Sequence, residues 1–367
     1  MMAPLDIVFL GLSLSSSWGN GHATTFRALL RGLHRLGHRL TFLERDVAWY
    51  ADNRDLPDPD FCDLRYYRSV AGLCTDHRER LRSADVVVVG SFVPEGVAVI
   101  DTVAPLCAGS FCFYDIDTPV TLARLAAGDR DYLAGRQVPL FDTYFSFTGG
   151  STLDRLREQF GARRAEPLYC SVDEERYAPT SERPVWELGY LGTYSPDRQP
   201  TLERLLIDVA RRMPDRRFVV AGPQYPEGLV WPRNVDRIAH LPPSEHASFY
   251  SRQRYTLNVT RADMIAAGWS PSVRLFEAAA CFCPVISDRW PGLDDFFPLG
   301  EAIHAADGAD DVCAVLTEEA ESQRLALAEN ARKRVLASHT GLARARELVS
   351  CLTSPSRDSR SAAPQAA

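Results

Sequence analysis

The stretch SPSVRLFEAAACFCPVISD, residues 270–288, reads as a helix running into a short buried strand. Ser270 is a good helix cap and Pro271 suits the first helical position. The N–H groups of Ser272 and Val273 are then expected to be free at the helix start. Arg274 and Glu277 are three residues apart and share one helical face, whereas Val273, Phe276 and Ala280 fall on another, core-directed face. The plain reading of the charged face is an intrahelical pair worth about 0.2–0.5 kcal/mol. The functional reading is a diphosphate at the helix N-terminus and a ribose diol held by Glu277.

Outward from this stretch, short apolar runs keep alternating with helical patterns. Upstream lie ELGYLG (187–192), RFVVAG (217–222) and YTLNVT (255–260), with PVIS (284–287) closing the series. The first half carries DIVFLGL (6–12), RLTFLE (39–44), DVVVVG (85–90), SFCFYD (110–115) and TYFSF (143–147). Near-continuous apolar strands indicate parallel sheets covered on both faces. Their alternation with helices makes each half a doubly wound α/β domain. The expected organisation is a Rossmann-like domain over 1–170, a polar linker over 171–186 and a second Rossmann-like domain over 187–330. Helices over 331–353 are expected to pack back on the first domain, followed by a disordered tail over 354–367. Two such domains facing across a cleft would bind ligands beyond the carboxyl ends of their strands.

Composition narrows the partners. With 367 residues, 24% charged and a net charge of −7, the chain lacks the basic excess of a protein that tracks nucleic acid. Nine scattered cysteines, an odd number without a CxxC, indicate reduced thiols in a cytoplasm rather than disulfides or a zinc site. The start has no positive n-region, and no run reaches the roughly 18 apolar residues of a membrane span. In FRALLRGLHRLGHRL, the residues Arg27, Arg31, His34, Arg35 and His38 line up opposite leucines. Peripheral membrane contact is one reading of that face. Leucines on a sheet with bases in water is the stronger one.

Three further places carry candidate chemistry. After the first strand, SSSWGNGHATTF offers Gly19, Asn20 and Gly21 for close backbone approach, and His22 where a helix begins. The spacing is not GxGxxG, which weakens a nicotinamide reading, although Glu44 ends the second strand where a ribose-binding acid would sit. In YDIDTPVT, Asp115 and Asp117 follow a strand and should face the cleft, as a base or orienting group for an acceptor hydroxyl. The same residues also suit a helix cap. In GYLGTYSPDRQPTLERLL, a loop carries Thr193, Tyr194, Ser195 and Arg198 ahead of a helix. A cation in a first helical turn is disfavoured by about 0.3–1 kcal/mol, which hints at an anionic neighbour.

These runs, with RFVVAGPQYP, FTGGSTLDRL and LYCSVD, resemble the GT-B glycosyltransferases, and more narrowly the CgeB-like (spore-maturation-protein-like) branch of the retaining group-1 enzymes. The resemblance spans the chain to about residue 350, and its most specific part is the block around Glu277. It implies a nucleotide-sugar donor, UDP-, dTDP- or GDP-linked, in the C-terminal domain. It also implies a hydroxyl acceptor against the N-terminal domain, and no required metal or other cofactor. By that analogy Glu277 holds the donor ribose, Arg198 the diphosphate with Thr193, Tyr194, Ser270, Ser272, Val273 and Arg274 around it, and residues 19–22 the opposite side. Two positions depart from the family. Trp269 stands where a glutamate usually touches the transferred sugar, and Phe282 stands where glycine is usual. A catalytically silent nucleotide-sugar binder, a nicotinamide-dependent oxidoreductase and a sugar-nucleotide epimerase are the rival readings.

Overall fold

Burial along the first strand sets the layers of the N-terminal sheet. In β1 (Asp6–Gly11), Ile7 and Phe9 join one apolar cluster while Val8 and Leu10 join another, and all four are fully buried. A strand apolar on both sides must be covered on both sides. The helix Gly21–Arg35 supplies Phe26, Leu29, Leu30 and Leu33 to the first cluster, and the helix Gly96–Val103 supplies Val99, Ile100 and Val103 to the second.

The computed structural model describes residues 3–18 and 21–353. It divides into two units, one of residues to Tyr169 with those from Gly341 onward, the other Cys170–Thr340. The first unit holds β1, β2 (Arg39–Arg45), β3 (Asp63–Tyr67), β4 (Val86–Gly90), β5 (Ser110–Asp115), β6 (Thr143–Ser146) and β7 (Ala165–Pro167). They form one parallel sheet of order β3-β2-β1-β4-β5-β6-β7. The second unit holds β8 (Trp186–Leu191), β9 (Phe218–Ala221), β10 (Val235–Ile238), β11 (Gln253–Asn258), β12 (Val285–Ser287) and β13 (His304–Ala305). Its parallel order is β10-β9-β8-β11-β12-β13. Both are the doubly wound order in which the chain reverses direction beside the first strand, at β1/β4 and at β8/β11.

The segment expected as a linker, 171–186, lies within the second unit, as does the helix Glu321–Ser338, which packs on the helix Val273–Ala280. Only the last helix, Gly341–Thr353, belongs with the first unit. It crosses Gly21–Arg35 with backbones in contact. A Cβ on Gly32 would lie 2.4 Å from the Gly341 carbonyl oxygen, and one on Gly341 would lie 2.2 Å from that of Ala28. The expected tail, 354–367, lies outside the described residues.

Candidate active site

In the second unit the carboxyl ends of β8 and β11 are bridged by one side chain. Arg274, buried on the helix Val273–Ala280, donates from Nε to the Leu191 carbonyl oxygen (2.5 Å) and from Nη1 to Asn258 Oδ1 (3.1 Å). Its guanidinium lies over the Tyr190 ring, 4.9 Å from the centroid. The expected Arg274–Glu277 pair is absent from the ion pairs among the described residues, because Arg274 reaches forward to the sheet edge instead. Asn258 is itself fixed, donating to Ser287 Oγ (2.9 Å) and Thr260 Oγ1 (3.1 Å). Buried Asp288 accepts from the Thr260 N–H (2.9 Å) and hydroxyl (2.8 Å) beside them.

Arg198 converges on the same edge. It is 9% exposed, its Nη2 donates to the Thr193 carbonyl (2.6 Å), and its Nε has no partner among the described residues. Burial, then the nearby charges of Arg274 and Arg261, hold its pKa below the usual arginine value. Three cations at the strand ends with a buried N–H unspent have the chemistry to pair with an anion. The loop before Arg198 is shaped to allow this. Gly192 and Gly222 pass so closely that a Cβ on Gly222, at φ +136°, would stand 2.1 Å from the Gly192 carbonyl oxygen. The Tyr194 N–H donates to the Pro223 carbonyl (3.0 Å), and its ring meets Tyr225 edge-on at 5.5 Å. Asp197 accepts from the Ser195 hydroxyl and from the Ala262 N–H (3.0 Å), tying the loop to the segment that carries Arg261.

The helix start differs from the expectation. Ser270 and Pro271 are buried but lie ahead of the helix, which begins at Val273 with Ser272 in the capping position and no side-chain cap bond. The peptide groups without an intrahelical carbonyl are therefore those of Val273 and Arg274. Val273, expected in the core, is 37% exposed, whereas Phe276 and Ala280 are fully buried. Phe282 has a positive φ of 61°, the conformation that favours glycine. Trp269 is also held at positive φ (41°), with its N–H on the Pro291 carbonyl (2.7 Å) and its indole N–H on Asp295 (2.6 Å).

Glu277 faces a different set of groups from Arg274. Its carboxylate accepts from the Tyr250 hydroxyl (3.1 Å), and its charge acts on the nearby Tyr177, whose hydroxyl lies 3.2 Å from His246 Nδ1. Burial, reinforced by the Glu277 charge, pushes both phenols well up, so they remain donors. Burial lowers the His246 pKa and keeps that ring neutral at pH 7. Sequence reading missed Tyr177, His246 and Tyr250. They are remote in the chain, Tyr177 falls in the stretch taken for a linker, and only the fold brings them to Glu277.

In the first unit, His22 and Asp117 come together. His22 stands in the first turn of Gly21–Arg35, and its Nε2 is 3.1 Å from Asp117 Oδ2. The His22 side chain is 10% exposed and that of Asp117 is 47% exposed. Phe92, at φ +59° in the loop after β4, packs edge-on against the His22 ring at 5.4 Å. Strain of this kind collects at functional sites. Sequence reading missed Phe92 as well, although the SFVPEG turn around it, residues 91–96, carries a signal. Gly21 opens the helix with nothing within 4 Å of the place a Cβ would occupy, while Gly19 and Asn20 lie outside the described residues.

Asp115, expected to face the cleft as a base or orienting group, is instead sealed inside the first unit. It is fully buried and accepts from the Thr121 and Tyr144 hydroxyls, both at 2.6 Å. Burial, with the Asp117 charge adding to it, pushes its carboxyl up to about 6. Glu44 is likewise spent, accepting from the Leu14 N–H (2.6 Å) and from the Ser15 N–H (2.9 Å) and hydroxyl (2.6 Å). It pins the loop after β1 and is unavailable to a cofactor ribose. The basic face expected on the first helix is broken up: Arg27 is buried against Asp55, Arg31 lies over Phe61, and His38 accepts from the Leu5 N–H. No helix among the described residues is long and apolar enough to cross a membrane. Among them, no group of three His, Cys, Asp or Glu side chains could hold a metal ion, and none of the cysteines forms a disulfide.

Two parallel doubly wound sheets of this order are the GT-B fold seen in glycosyltransferase structures. Within it, residues 198–350 match the model of a family described as glycosyl transferase-like. Solved structures extend the likeness over the rest of the chain. Sucrose-phosphate synthase of Thermosynechococcus elongatus superposes with TM-score 0.66 at 13% identity, over 94% of this chain and 98% of that one. HepE of Anabaena, solved with UDP and glucose, does so with TM-score 0.63 at 12% identity, over 96% and 100%. An alpha-glucosyltransferase solved with UDP-glucose and DNA containing an abasic site gives 0.68 at 13%, over 96% and 100%. No curated protein matches the chain in a sequence search.

Proposed function

We propose that this protein moves a sugar, a hexose by analogy with the UDP-glucose complexes, from a nucleoside diphosphate to a hydroxyl acceptor. The observation that carries the reading is the convergence of Arg198 and Arg274 on the carboxyl ends of β8 and β11, beside the unspent N–H groups of Val273 and Arg274. In the transfer, the bond between the anomeric carbon and the phosphate oxygen breaks, one to the acceptor oxygen forms, and the acceptor's proton passes to the departing diphosphate. Charge develops on the departing diphosphate, and fixed cations and peptide dipoles stabilise it there. Glu277, held beside two phenol donors, takes the ribose diol. In the first unit Asp117 is the solvent-reaching member of the dyad and orients the acceptor hydroxyl, with His22 behind it as its positioning partner. A retaining course that needs no metal is part of the proposal by resemblance to the group-1 enzymes.

The test is a thermal-shift panel of UDP, dTDP, GDP and NAD on the whole chain, repeated on Arg198→Ala. A nucleoside diphosphate at a hundred times its Kd should add about 2.7 kcal/mol of stability. Removing Arg198 should lose that shift and slow transfer by about 10²–10³-fold. A response to NAD alone, or an unchanged Arg198→Ala, would overturn the proposal. Trp269 in the place of the usual glutamate favours a second reading, a nucleotide-sugar binder without turnover. That reading predicts binding with no release of nucleoside diphosphate in the presence of any acceptor.

A further inference from the structure

The proposed transfer leaves Asp115 without a role, although its burial is costly. The side chain is fully buried at the end of β5, and among the described residues it enters no ion pair. A buried carboxylate without a cation is kept against its desolvation penalty, and such groups collect where they are used. Its donors lead to both members of the His22–Asp117 pair. One arm is direct: Asp115 Oδ1 accepts from the Asp117 N–H (3.3 Å), at the residue that caps the helix Thr118–Ala126. The other arm runs through side chains. Oδ1 also accepts from the Thr121 hydroxyl (2.6 Å), so the Tyr132 hydroxyl, 2.7 Å from Thr121 Oγ1, donates to that oxygen. The Tyr132 ring lies 4.4 Å from Phe92, whose own ring meets His22 edge-on at 5.4 Å. Asp115 Oδ2 is held by Tyr144 on β6 (2.6 Å).

Thr121 has a second acceptor in reach, the Asp117 carbonyl oxygen at 3.3 Å. With Asp115 ionised, the shorter, charge-assisted bond directs the hydroxyl to the carboxylate. With a solvent proton on Oδ1, that O–H donates to Thr121 Oγ1 and the threonine proton turns to the Asp117 carbonyl. The Asp117 N–H then loses its acceptor. The two protonation states thus hold the Asp117 peptide by opposite ends.

We infer that Asp115 is a positioning residue for the acceptor side: its ionised carboxylate fixes the Asp117 peptide and, through Thr121, Tyr132 and Phe92, the His22 ring. The inference rests on the transferase reading for what the pair does, and on the bonds above for the coupling itself. The titratable and charged groups around Asp115 are Tyr144 from β6, Asp117 from the turn after β5, and Tyr132 from the segment after the helix Thr118–Ala126. The Arg124 guanidinium lies 5.6 Å from the centre of the Tyr132 ring. Burial raises both phenols, so neither gives up its proton near neutrality. Burial, opposed by the Thr121 and Tyr144 bonds, brings the Asp115 carboxyl up to about 6. The ionised arrangement therefore prevails at pH 7 and is lost as pH falls through that value.

The experiment follows the Asp117 amide by ¹H–¹⁵N NMR of the full chain against pH, in the unaltered protein, Tyr144→Phe and Asp115→Asn. The amide should shift with a midpoint near 6 in the unaltered protein. Tyr144→Phe takes one donor from the ionised form, so the midpoint should rise by about one pH unit. In Asp115→Asn that step should vanish. UDP release from UDP-glucose, with water as the accepting hydroxyl, gives the functional readout. It should fall about tenfold from about pH 7.5 to about pH 5, along a limb that moves up with the amide in Tyr144→Phe. In Asp115→Asn release should be low and flat across that range, and both variants should bind UDP as the unaltered protein does. Because His22 and Asp117 are untouched in Tyr144→Phe, a moved limb belongs to Asp115. An amide that titrates alike in the unaltered protein and Tyr144→Phe would overturn the inference, even where Asp115→Asn does not fold. So would a release that drops uniformly across pH with its limb in place, which marks a packing role. If the unaltered chain binds no UDP, the transferase reading fails, and the amide titration alone decides whether Asp115 governs Asp117.

Discussion

The carboxyl edges of the two sheets share a topology and differ in charge. At the edge of the second sheet, Arg198, Arg261 and Arg274 gather around strand ends, with tyrosines as their neighbours. At the edge of the first there is a histidine–aspartate pair and a sealed aspartate. The same winding order places a ligand crevice in each unit. The side chains at the crevice then decide whether it suits a diphosphate or an uncharged partner. One architecture thus supplies two strand-end edges, and a handful of residues gives them different charge.

The sharpest way to break this contrast is Arg274→Met. It removes the bridge between β8 and β11, leaves the Leu191 carbonyl and Asn258 Oδ1 without their donor, and takes one cation from the crevice. Loss of turnover by about 10³-fold and of stability by about 2–4 kcal/mol is expected, read by initial rates and urea unfolding. Intact turnover would mean that the bridge serves packing alone. Asp117→Asn addresses the other edge. It should cut turnover by about 10²-fold without weakening nucleoside diphosphate binding, which is read by comparing kcat with calorimetric affinity. A matched loss of affinity would place Asp117 on the donor side and erase the division of labour.

Asp115→Asn separates the sealed carboxyl from its reachable neighbour. Because burial raises the folded-state value from 3.8 to about 6, the stability linked to this group is complete below the lower figure and is lost as pH rises through the upper one. Unfolding measured from pH 4 to 7 should show a decline of about 2 kcal/mol that is absent in the asparagine variant. A slope common to both proteins would assign the titration elsewhere. Glu277→Gln is the mildest change. It should weaken nucleoside diphosphate binding about tenfold and leave binding of inorganic diphosphate unaltered, since the pentose contact alone is touched.

What was legible in the residues follows from burial. The strands found from apolar runs are the inner ones, and the four that were missed, β3, β7, β10 and β13, are the edges of the two sheets. An edge strand is covered less, so DLRYY, AEP and VDRI carry charge, and HA is too short to show alternation. Arg198, Arg274 and Glu277 could be singled out because each is a charged residue in a local pattern that did not need it. Their actual partners were not visible. Leu191 and Asn258 for Arg274, and Tyr177 and Tyr250 for Glu277, are contacts across the fold with no sequence spacing to betray them. The displaced helix start has a local cause: Pro271 suits an extended approach as readily as a first turn, and Ser272 took the capping position.

The return of the chain at residue 341 has a consequence for biogenesis. Residues 170–340 are in effect an insertion whose ends are clasped by the Val172–Thr340 bridge and by the Val172 N–H on the His339 carbonyl (3.0 Å). The first unit is therefore split in the gene. When residue 169 has left the ribosome, Leu29, Leu30 and Leu33 still await Ala345, Leu348 and Val349. At roughly 5–20 residues per second that wait lasts on the order of ten seconds or more. The nascent protein must therefore make its whole insert before the final helix can cover the apolar seam on the part made earlier.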